Sequence, residues 1–546
     1  MKRSLKCSTS SIRLKFQRTT RDIVSLPLCF TILLAFNGCA KTQVKTEPTI
    51  PNLQALELLQ NDINAYLNHQ DHQRGTWGIA VQSMTNNQQL YAWNPTALLV
   101  PASTMKLVTL AVASATVGWD YRFETTLQTT GPISQGVLKG DLLFTGSGNP
   151  ALFGRAGGNY SDDLIATLQQ RGINSVDGRI IGNDNLVEEP RPGLAWSWED
   201  LAYPYGTLTG GLNWAENVFQ ILVSPGQTES ASTSIEQLSN TPAISVENNS
   251  VTSAPNTDTL LWPEWQLGST GPTVMGTIAA NSDPVMLKIS VGNPTLWFAR
   301  AIKSMLIANG ITVSGSAIDA DDLAELPQPK QTLHIHQSSP LSKLAEPLLK
   351  DSINLYGEAF LRLATGPLGT RTTSKAIEAA YAQLAQWGIK PDSIRIADGS
   401  GLSRQNLLSA ESLLTLLRVQ YRVDPSPFLQ ALPIAGIDGT LKQRLKSTPA
   451  EGNAKAKTGS MANIQSLAGY VTSRDAEPLA FVIIANNFEG PATSVLTTID
   501  QIVARLALFS RSDTRSNFPL CECTTCRSFL GEYSVSICEQ RLRESQ

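Results

Sequence analysis

The feature that most constrains this chain is a short polar turn followed at once by an apolar run. Pro101-Ala-Ser-Thr-Met-Lys106 precedes Leu107 to Ser114, and no glycine or further proline interrupts the sequence until Gly118. This composition predicts a helix that begins near Ser103 and is buried along most of its length. Because Ser103 and Lys106 are three residues apart, they are expected to lie on one face of that helix.

A serine hydroxyl with an amine one turn away is a candidate nucleophile with its base. Serine is a poor nucleophile unless an adjacent base takes its proton. Lysine can be that base only where burial or a second cation disfavours its charge. The alternative is a helix cap beside a solvated lysine, since Ser-x-x-Lys also occurs by chance in long chains. The rest of the sequence has to decide between the two.

Length and composition limit the classes of protein that need to be considered. The chain of 546 residues exceeds one ordinary domain, and 42% hydrophobic with 16% charged residues is typical of a globular protein with a sizeable core. The formal net charge of −3 provides no broad basic surface. We therefore expect no nucleic-acid partner.

The first 40 residues are predicted to be a signal peptide. Seven cations precede an apolar stretch from Ile23 to Phe36, whose length of about 14 residues is typical of a signal peptide and short for a membrane span. Cleavage is expected after Ala40. Alternatively the residues before Cys39 form a loose lipoprotein box, and a lipidated Cys39 would anchor the protein to a membrane. Both alternatives predict export to the periplasm or cell envelope, with residues 41–52 as a tether.

The positions of the cysteines agree with export. All seven lie in the two ends of the chain, so the long body between them needs no disulfide and offers no cysteine nucleophile. The tail contains Cys521, Cys523, Cys526 and Cys538, which could bind zinc. Their spacing is irregular and no histidine accompanies them. We therefore expect residues 511–546 to be a disordered extension.

The order of the predicted elements indicates an α/β fold with an insertion. A hairpin leads into the Ser103 helix, and helices return in the last third of the chain, followed by two strands and a final helix. Residues 119–328 are dominated by predicted strands and loops, including one strand from Val137 to Thr145. We therefore expect an α/β sandwich built from residues 53–118 and 329–510 and split by an inserted pair of domains.

Two further short motifs occur late in the chain. Ser352-Ile-Asn354 lies at a predicted break between two helices. Lys457-Thr-Gly-Ser460 opens a predicted strand, and its glycine permits close approach of a ligand. Each motif is common by chance. In the order Ser-x-x-Lys, Ser-x-Asn, Lys-Thr-Gly, however, the three match the signature of penicillin-binding proteins and class A β-lactamases.

Other catalytic chemistries fit the sequence less well. None of the four histidines lies in a Gly-x-Ser-x-Gly or metal-binding helix motif; they are His69, His72, His334 and His336. We therefore expect neither a Ser-His-Asp triad nor a histidine zinc site. The glycine-rich Gly146-Ser-Gly-Asn-Pro150 lacks the form of a nucleotide site and is interpreted as a turn. No cofactor and no metal are expected.

The chain resembles the class C low-molecular-mass penicillin-binding proteins, which are exported D-alanyl-D-alanine carboxypeptidases and endopeptidases of serine type. Besides the three motifs, blocks similar to that family are Ser352-Ile-Asn-Leu-Tyr-Gly-Glu358, Asp398-Gly-Ser-Gly-Leu-Ser-Arg404, Gly436-Ile-Asp-Gly-Thr440 and the segment from Gly140 to Pro150. The resemblance covers residues 50 to 510. It implies a penicillin-binding transpeptidase-like, or β-lactamase-like, α/β sandwich with two inserted strand-rich domains.

The resemblance also implies roles for four residues of the first two motifs. Ser103 would attack the carbonyl of the penultimate D-alanine and form an acyl-enzyme, with Lys106 as its base. Ser352 would relay a proton to the leaving amine. Asn354 would position the Lys106 amine and the substrate amide. Ile353 departs from the Asp or Asn often found in the family, with little expected effect because its side chain would point away from the site.

The third motif is implied to bind the substrate. Lys457 would add positive charge near Ser352 and near the terminal carboxylate, with Thr458 and Ser460 as hydroxyl partners. The backbone N–H groups of Ser103 and Ser460 would form the oxyanion hole. The residues implied to hold the diamino acid of the peptide stem are Arg404, Met461 and Asp184.

Three functions remain open at this stage. The first is a peptidase of peptidoglycan stem peptides that β-lactam antibiotics acylate. The second is a β-lactamase or esterase on the same core, which the large insertion argues against. The third is an inactive wall-binding protein, which the complete set of motif residues argues against.

Overall fold

The computed structural model describes residues 53–513, with gaps at 69–73, 156–159, 188–191, 239–241, 243, 267, 368–370 and 424. The predicted signal peptide, the tether, the lipidation site, the first two histidines and the cysteine tail from residue 514 onward lie outside the described residues. None of the described helices has the length and apolar character that a membrane crossing requires.

The α-helices of the described residues are α1 (Leu53–Leu67), α2 (Met105–Val117), α3 (Tyr160–Gln170), α4 (Pro294–Ala308), α5 (Leu341–Leu349), α6 (Asn354–Arg362), α7 (Thr373–Gln386), α8 (Ala410–Val423), α9 (Pro425–Ala431) and α10 (Ala492–Ala507). The strands are β1 (Thr76–Ser83), β2 (Gln89–Trp93), β3 (Glu124–Thr129), β4 (Ile133–Ser134), β5 (Val137–Leu138), β6 (Leu142–Gly146), β7 (Ser175–Val176), β8 (Ile180–Asn183), β9 (Val218–Ser224), β10 (Ser234–Gln237), β11 (Glu247–Ser253), β12 (Leu260–Glu264), β13 (Thr273–Ala279), β14 (Val285–Ser290), β15 (Thr312–Val313), β16 (Ala317–Asp319), β17 (Gln331–Gln337), β18 (Ile394–Arg395), β19 (Leu407–Leu408), β20 (Lys455–Met461), β21 (Ile464–Thr472) and β22 (Pro478–Asn486).

The α/β sandwich is built on a five-stranded antiparallel sheet in the order β2-β1-β22-β21-β20, which combines strands from both ends of the described chain. Val482 and Ile484 of β22 face a core that α2 and α5 to α9 complete. Phe481 and Ile483 face a second core with α1 and α10. Because both faces of the sheet are buried, β22 is a continuous apolar run and not an alternating one. Helices on both faces make the predicted α/β sandwich.

The segment between α2 and α5 adds four sheets, in agreement with a strand-rich insertion. Their strand orders are β16-β8-β6-β3-β17, β15-β7-β5-β4, β10-β9-β14 and β11-β13-β12. Leu127 and Phe144 from the first of these pack with α3 and α4 in one core. Phe219 and Ile221 of β9 lie in a separate small core. The division of the insertion into two domains stays a prediction.

The insertion differs from the sequence expectation at one strand and one helix. The stretch from Val137 to Thr145 is not one strand, because β5 pairs with β4 and β7 whereas β6 pairs with β3 and β8. The chain therefore passes from one sheet to another near Gly140. Helix α4 was not anticipated, although Asn293 caps it by accepting from Leu296 N at 2.8 Å and Pro294 occupies its first turn, which is a typical start signal.

Two predicted boundaries also shift. Strand β17 pairs with β3 of the insertion, so the chain returns to the sandwich after Gln337 and not at residue 329. His334 and His336 lie on this strand beside Tyr160, and the His336 and Tyr160 ring centroids are 4.4 Å apart. At the carboxyl end, Arg511 binds Glu477 at 2.7 Å. The folded body therefore includes residues 511–513, which were expected to belong to the tail.

Candidate active site

Ser103 lies in a 3₁₀ turn, Ala102–Thr104, that leads directly into α2. The α-helix itself begins at Met105, two residues later than the serine near which the sequence predicted it. Every residue from Met105 to Ser114 is buried, whereas Ser103 is partly exposed. The hydroxyl therefore stands at the mouth of a buried helix.

Two glycines allow neighbouring segments to pack closely against this turn, because they have no side chain. A Cβ on Gly459 of β20 would lie 2.2 Å from Ser466 Oγ and 2.7 Å from Pro101 O. A Cβ on Gly401, whose φ is +87°, would lie 2.0 Å from Ala102 O. Neither position has room for a side chain. The Lys-Thr-Gly strand and the loop around Gly401 are thus held in contact with the serine turn.

Lys106 is fully buried one turn below Ser103. Its Nζ lies 2.8 Å from Ser103 Oγ, 2.6 Å from Asn354 Oδ1 and 2.7 Å from Ser400 O. Burial lowers the pKa of Lys106 to about 7, against the opposing effect of nearby carboxylates. A large share of the amine is therefore neutral near neutral pH.

The three partners of Lys106 define the direction of its lone pair. Asn354 Oδ1 and Ser400 O can only accept, so each takes one N–H of the neutral amine. A neutral amine has two N–H groups and one lone pair, which leaves the lone pair directed at Ser103 Oγ. Tyr205 O accepts from Asn354 Nδ2 at 2.7 Å, which fixes the orientation of the amide. This geometry allows the amine to accept the Ser103 proton.

A second serine and lysine lie beside the first pair. Ser352 occupies the break between α5 and α6 with a φ of +60°, a strained conformation for a residue with a side chain. Lys457 of β20 is fully buried and donates to Ser352 Oγ at 2.9 Å and to Thr458 O at 2.8 Å. Burial, and then the charge of Lys106, lower the pKa of Lys457. The structure thus brings together all five residues predicted to be catalytic.

The predicted substrate-binding residues of β20 lie on the edge strand of the sheet, past the point where Lys455 bridges to Ile434. Thr458 Oγ1 donates to Thr440 Oγ1 at 2.7 Å, and Ser460 Oγ accepts from Gln465 Nε2 at 2.9 Å. Arg404 Nη2 donates to the carbonyl of Ala462 at 3.0 Å, next to Met461. Arg404 and Met461 are therefore neighbours at the end of the Lys-Thr-Gly strand. Their roles stay predictions.

Asp184 is not brought to this cluster. Its side chain is 1% exposed and accepts from Thr295 of α4 at 2.5 Å. Burial, reinforced by Asp319 and Asp321, raises the pKa of Asp184 to about 6. Within the described residues, these three carboxylates form the one group of acidic, histidine or cysteine side chains close enough to hold a metal ion. That group belongs to the insertion, so its position does not support contact between Asp184 and a substrate at Ser103.

A different acid of the insertion, Asp200, lies close to the cluster and was missed by sequence reasoning. Tyr205, whose carbonyl binds Asn354, donates its hydroxyl to Asp200 Oδ1 at 3.2 Å. In the same segment, Trp196 Nε1 donates to Asp398 Oδ2 at 2.8 Å. The sequence contains a signal for it, because Asp200 lies inside an aromatic-rich segment, two residues after Trp198 and five before Tyr205.

The profile of the D-Ala-D-Ala carboxypeptidase 3 (S13) family matches residues 59–508. The chain belongs to this family. It is 29% identical over 472 residues to a D-alanyl-D-alanine carboxypeptidase of Actinomadura sp. (strain R39), covering 83% of this chain and 85% of that protein. It is also 29% identical over 421 residues to D-alanyl-D-alanine carboxypeptidase DacB of Haemophilus influenzae, covering 75% of this chain and 85% of that protein.

The S13 fold is also found among solved structures. Penicillin binding protein 4 of Haemophilus influenzae matches with a TM-score of 0.73 at 24% identity, covering 82% of this chain and 99% of that one. The predicted family, the penicillin-binding α/β fold and the predicted enzyme class, a serine-type D-Ala-D-Ala carboxypeptidase, are thereby confirmed. The assignment of individual catalytic residues is a separate question.

Proposed function

We propose that this S13 enzyme uses Ser103 as its nucleophile and Lys106 as the base, and cleaves D-Ala-D-Ala bonds of peptidoglycan stem peptides through an acyl-enzyme. The observation that carries this proposal is the buried amine of Lys106. Two oxygens that only accept hydrogen bonds occupy its N–H groups, and its remaining direction points at Ser103 Oγ, 2.8 Å away. Such an amine can act as a base near neutral pH.

The bond changes follow from this arrangement. Ser103 Oγ forms a bond to the carbonyl carbon of the penultimate D-alanine, and its proton passes to Lys106 Nζ. The C–N bond then breaks, and the departing amine takes the proton held by Lys106, relayed by Ser352, whose hydroxyl is bound by Lys457 at 2.9 Å. Water adds to the ester carbon and Ser103 leaves with a proton, which restores the free hydroxyl. No other co-reactant is needed.

The edge strand β20 offers a surface for an extended peptide. An unpaired sheet edge can hydrogen-bond a substrate backbone as an added strand. Lys457 and Thr458 would then meet the terminal carboxylate. The backbone N–H groups of Ser103 and Ser460 are the proposed oxyanion hole, in which one donor contributes about 3 kcal/mol to lowering the barrier.

The diamino acid of the stem is proposed to reach Asp200, Arg404 and Met461. Asp200 takes the place that the sequence had given to Asp184, because its partner Tyr205 contacts Asn354. We expect Asp200→Asn to raise KM for a diamino-acid-containing peptide about tenfold with little change in kcat, since one charged contact to a bound substrate is lost. Asp184→Asn is the matched control and leaves KM unchanged. Equal KM values in both variants would contradict the assignment of Asp200.

Acylation by β-lactams is part of the same proposal, because a β-lactam offers the serine a strained amide carbonyl. Penicillin binding protein 4 of Haemophilus influenzae, whose fold this chain shares, has also been solved in complex with a β-lactam.

Action on peptidoglycan implies export to the periplasm or cell envelope, and the segment around Cys39 provides a candidate lipid anchor. Endopeptidase cleavage of cross-links uses the same bond chemistry and is proposed as a second activity.

The test combines two substrates with two variants. Wild-type enzyme, Ser103→Ala and the control Ser114→Ala are incubated with fluorescent penicillin and with a pentapeptide ending in D-Ala-D-Ala. We expect wild type and Ser114→Ala to be labelled and to release D-alanine, and Ser103→Ala to do neither. Rapid loss of the label from wild type, without D-alanine release, would instead identify a β-lactamase. Labelling of Ser103→Ala at the wild-type level would show that the nucleophile is another residue.

A further inference from the structure

Behind the Lys106 amine lies a buried carboxylate that the reaction steps above do not use. Glu358 is 5% exposed and lies on α6 four residues after Asn354, so the two side chains share one face of the helix. Glu358 Oε1 accepts from Gly399 N at 3.1 Å and from Ser400 N at 2.9 Å. The carbonyl of the same Ser400 is an acceptor for Lys106. Glu358 is thus one residue removed from the amine.

The contact between α6 and this loop is closely packed. A Cβ on Gly357 would lie 2.8 Å from Ser400 Cα, and a Cβ on Gly399 would lie 2.3 Å from Gly357 O. On the other side, Thr109 of α2 donates to Gly399 O at 2.6 Å. The loop is therefore held between two helices, with Glu358 providing the acceptor for its N–H groups.

We propose that Glu358 is a positioning residue for the S13 reaction: it fixes the Ser400 carbonyl against Lys106 and places a negative charge behind the amine. The inference rests on the role proposed above for Lys106. A carboxylate there favours the protonated amine. Asp398 and then Glu358 raise the pKa of Lys106 against the effect of burial, and burial raises the pKa of Glu358 itself.

Among the described residues, charged groups of both signs surround Glu358. Asp398, in the same loop, raises the pKa of Glu358, and Arg362, one turn along α6, lowers it. Lys106 faces Glu358 from α2. Lys457 faces Lys106 from β20 and is affected by its charge. Asp398 also binds this loop, accepting from Gly401 N at 2.7 Å, whereas Glu358 accepts from the N–H of Ser400, the residue whose carbonyl holds the amine.

Glu358→Gln separates the charge from the shape, because the amide oxygen can still accept from Gly399 and Ser400. We expect the acidic limb of kcat/KM, and of penicillin acylation, to move about one pH unit lower, since loss of the negative charge lowers the pKa of Lys106. The plateau value of kcat/KM in Glu358→Gln should fall about fivefold, because a weaker base takes the proton. Glu358→Asp keeps the charge, so its kcat/KM should have the same acidic limb as that of the wild type. Glu346→Gln, at a half-exposed position of α5, is the matched control and shifts nothing.

Two results decide the inference. A plateau that falls in Glu358→Gln without any shift of the limb would show a merely structural residue and overturn it. If that variant does not fold, selective ¹³C labelling of glutamate carboxyl groups gives a second test, because coupling between two titrating groups is reciprocal. We expect the pKa of Glu358 to rise in Lys106→Met, and an unchanged value overturns the inference. Ser103→Ala separates the two proposals, since its continued acylation would contradict the nucleophile and not the coupling.

Discussion

The two lysine–serine pairs of the site look alike and differ in what surrounds them. Lys106 and Lys457 are both fully buried, and each donates to or faces a serine hydroxyl within 2.9 Å. Carboxylates oppose the effect of burial on Lys106. For Lys457 the neighbouring charge is a cation, which acts in the same direction as burial.

The backbones of the two serines differ as well. Ser103 lies in a turn that continues into a helix and has no positive φ itself, although Ala102 before it has a φ of +49°. Ser352 is held at φ +60° between two helices. We therefore propose different roles: the Lys106 pair holds an amine near its titration point, whereas the Lys457 pair supplies a hydroxyl beside it. The same residue types therefore have different chemistry because of their surroundings.

The largest effect is expected from removal of the base. Lys106→Met should lower acylation by about 10³- to 10⁴-fold, the upper range for general acid–base catalysis, and stopped-flow acylation with a chromogenic β-lactam measures it. Lys343→Met, at an exposed position of α5, is the control. A loss smaller for Lys106→Met than for Lys457→Met would reverse the roles given to the two pairs.

The same variant tests the burial of the amine through stability. The pKa of Lys106 is about 7 in the folded protein, below the 10.5 of an ordinary lysine. Between these two values the unfolded chain binds a proton that the folded one lacks, so this group makes stability rise with pH by up to about 1.4 kcal/mol per unit. Lys106→Met should flatten that rise in denaturant unfolding measured from pH 7 to pH 10. Identical slopes would mean that the amine is not buried.

An intermediate effect is expected from the second lysine. Lys457→Met should lower peptide hydrolysis about 100-fold because Ser352 and the substrate carboxylate lose their positive partner. It should leave the acidic limb of the pH profile in place, since the charge of Lys106 makes Lys457 lose its proton first and the charges that act on Lys106 are carboxylates. Glu358→Gln, by contrast, is expected to move that limb to lower pH. A pH profile that moves downward would contradict the difference between the two pairs.

The smallest effect is expected at Ser352, where two variants distinguish the role of the hydroxyl from that of the backbone conformation. Ser352→Ala and Ser352→Gly should lose the same activity, about 10- to 100-fold, because both lack the hydroxyl. Glycine adopts φ +60° without strain, so the glycine variant should melt about 2 °C higher than the alanine variant. Calorimetry compares the two. Equal melting temperatures would show that the turn is not strained.

The three motifs and the helices around them could be predicted because each has a local signal. The apolar run after Ser103 and the glycine of Lys457-Thr-Gly-Ser460 anticipate a buried helix and a close approach of strand β20. Helix α4 had an equally clear signal in Asn293 and Pro294, and was missed within a segment dominated by strands.

Other parts of the site depend on contacts that no local pattern contains. The Ser400 carbonyl reaches Lys106 only because the loop packs on α6, and Asp200 reaches the site only because Tyr205 contacts Asn354. Asp184 appeared equally suitable in sequence, yet the fold buries it against Thr295. Choosing between two acids of one insertion needs their three-dimensional positions.

Peptide mapping of the penicillin adduct tests the central claim most directly, since it asks which of the two serines is esterified. Wild-type enzyme is acylated, digested and analysed by mass spectrometry for the peptides containing Ser103 and Ser352. The account predicts one penicilloyl group, on Ser103, and an unmodified Ser352. An adduct on Ser352, or none on the folded enzyme, would contradict it.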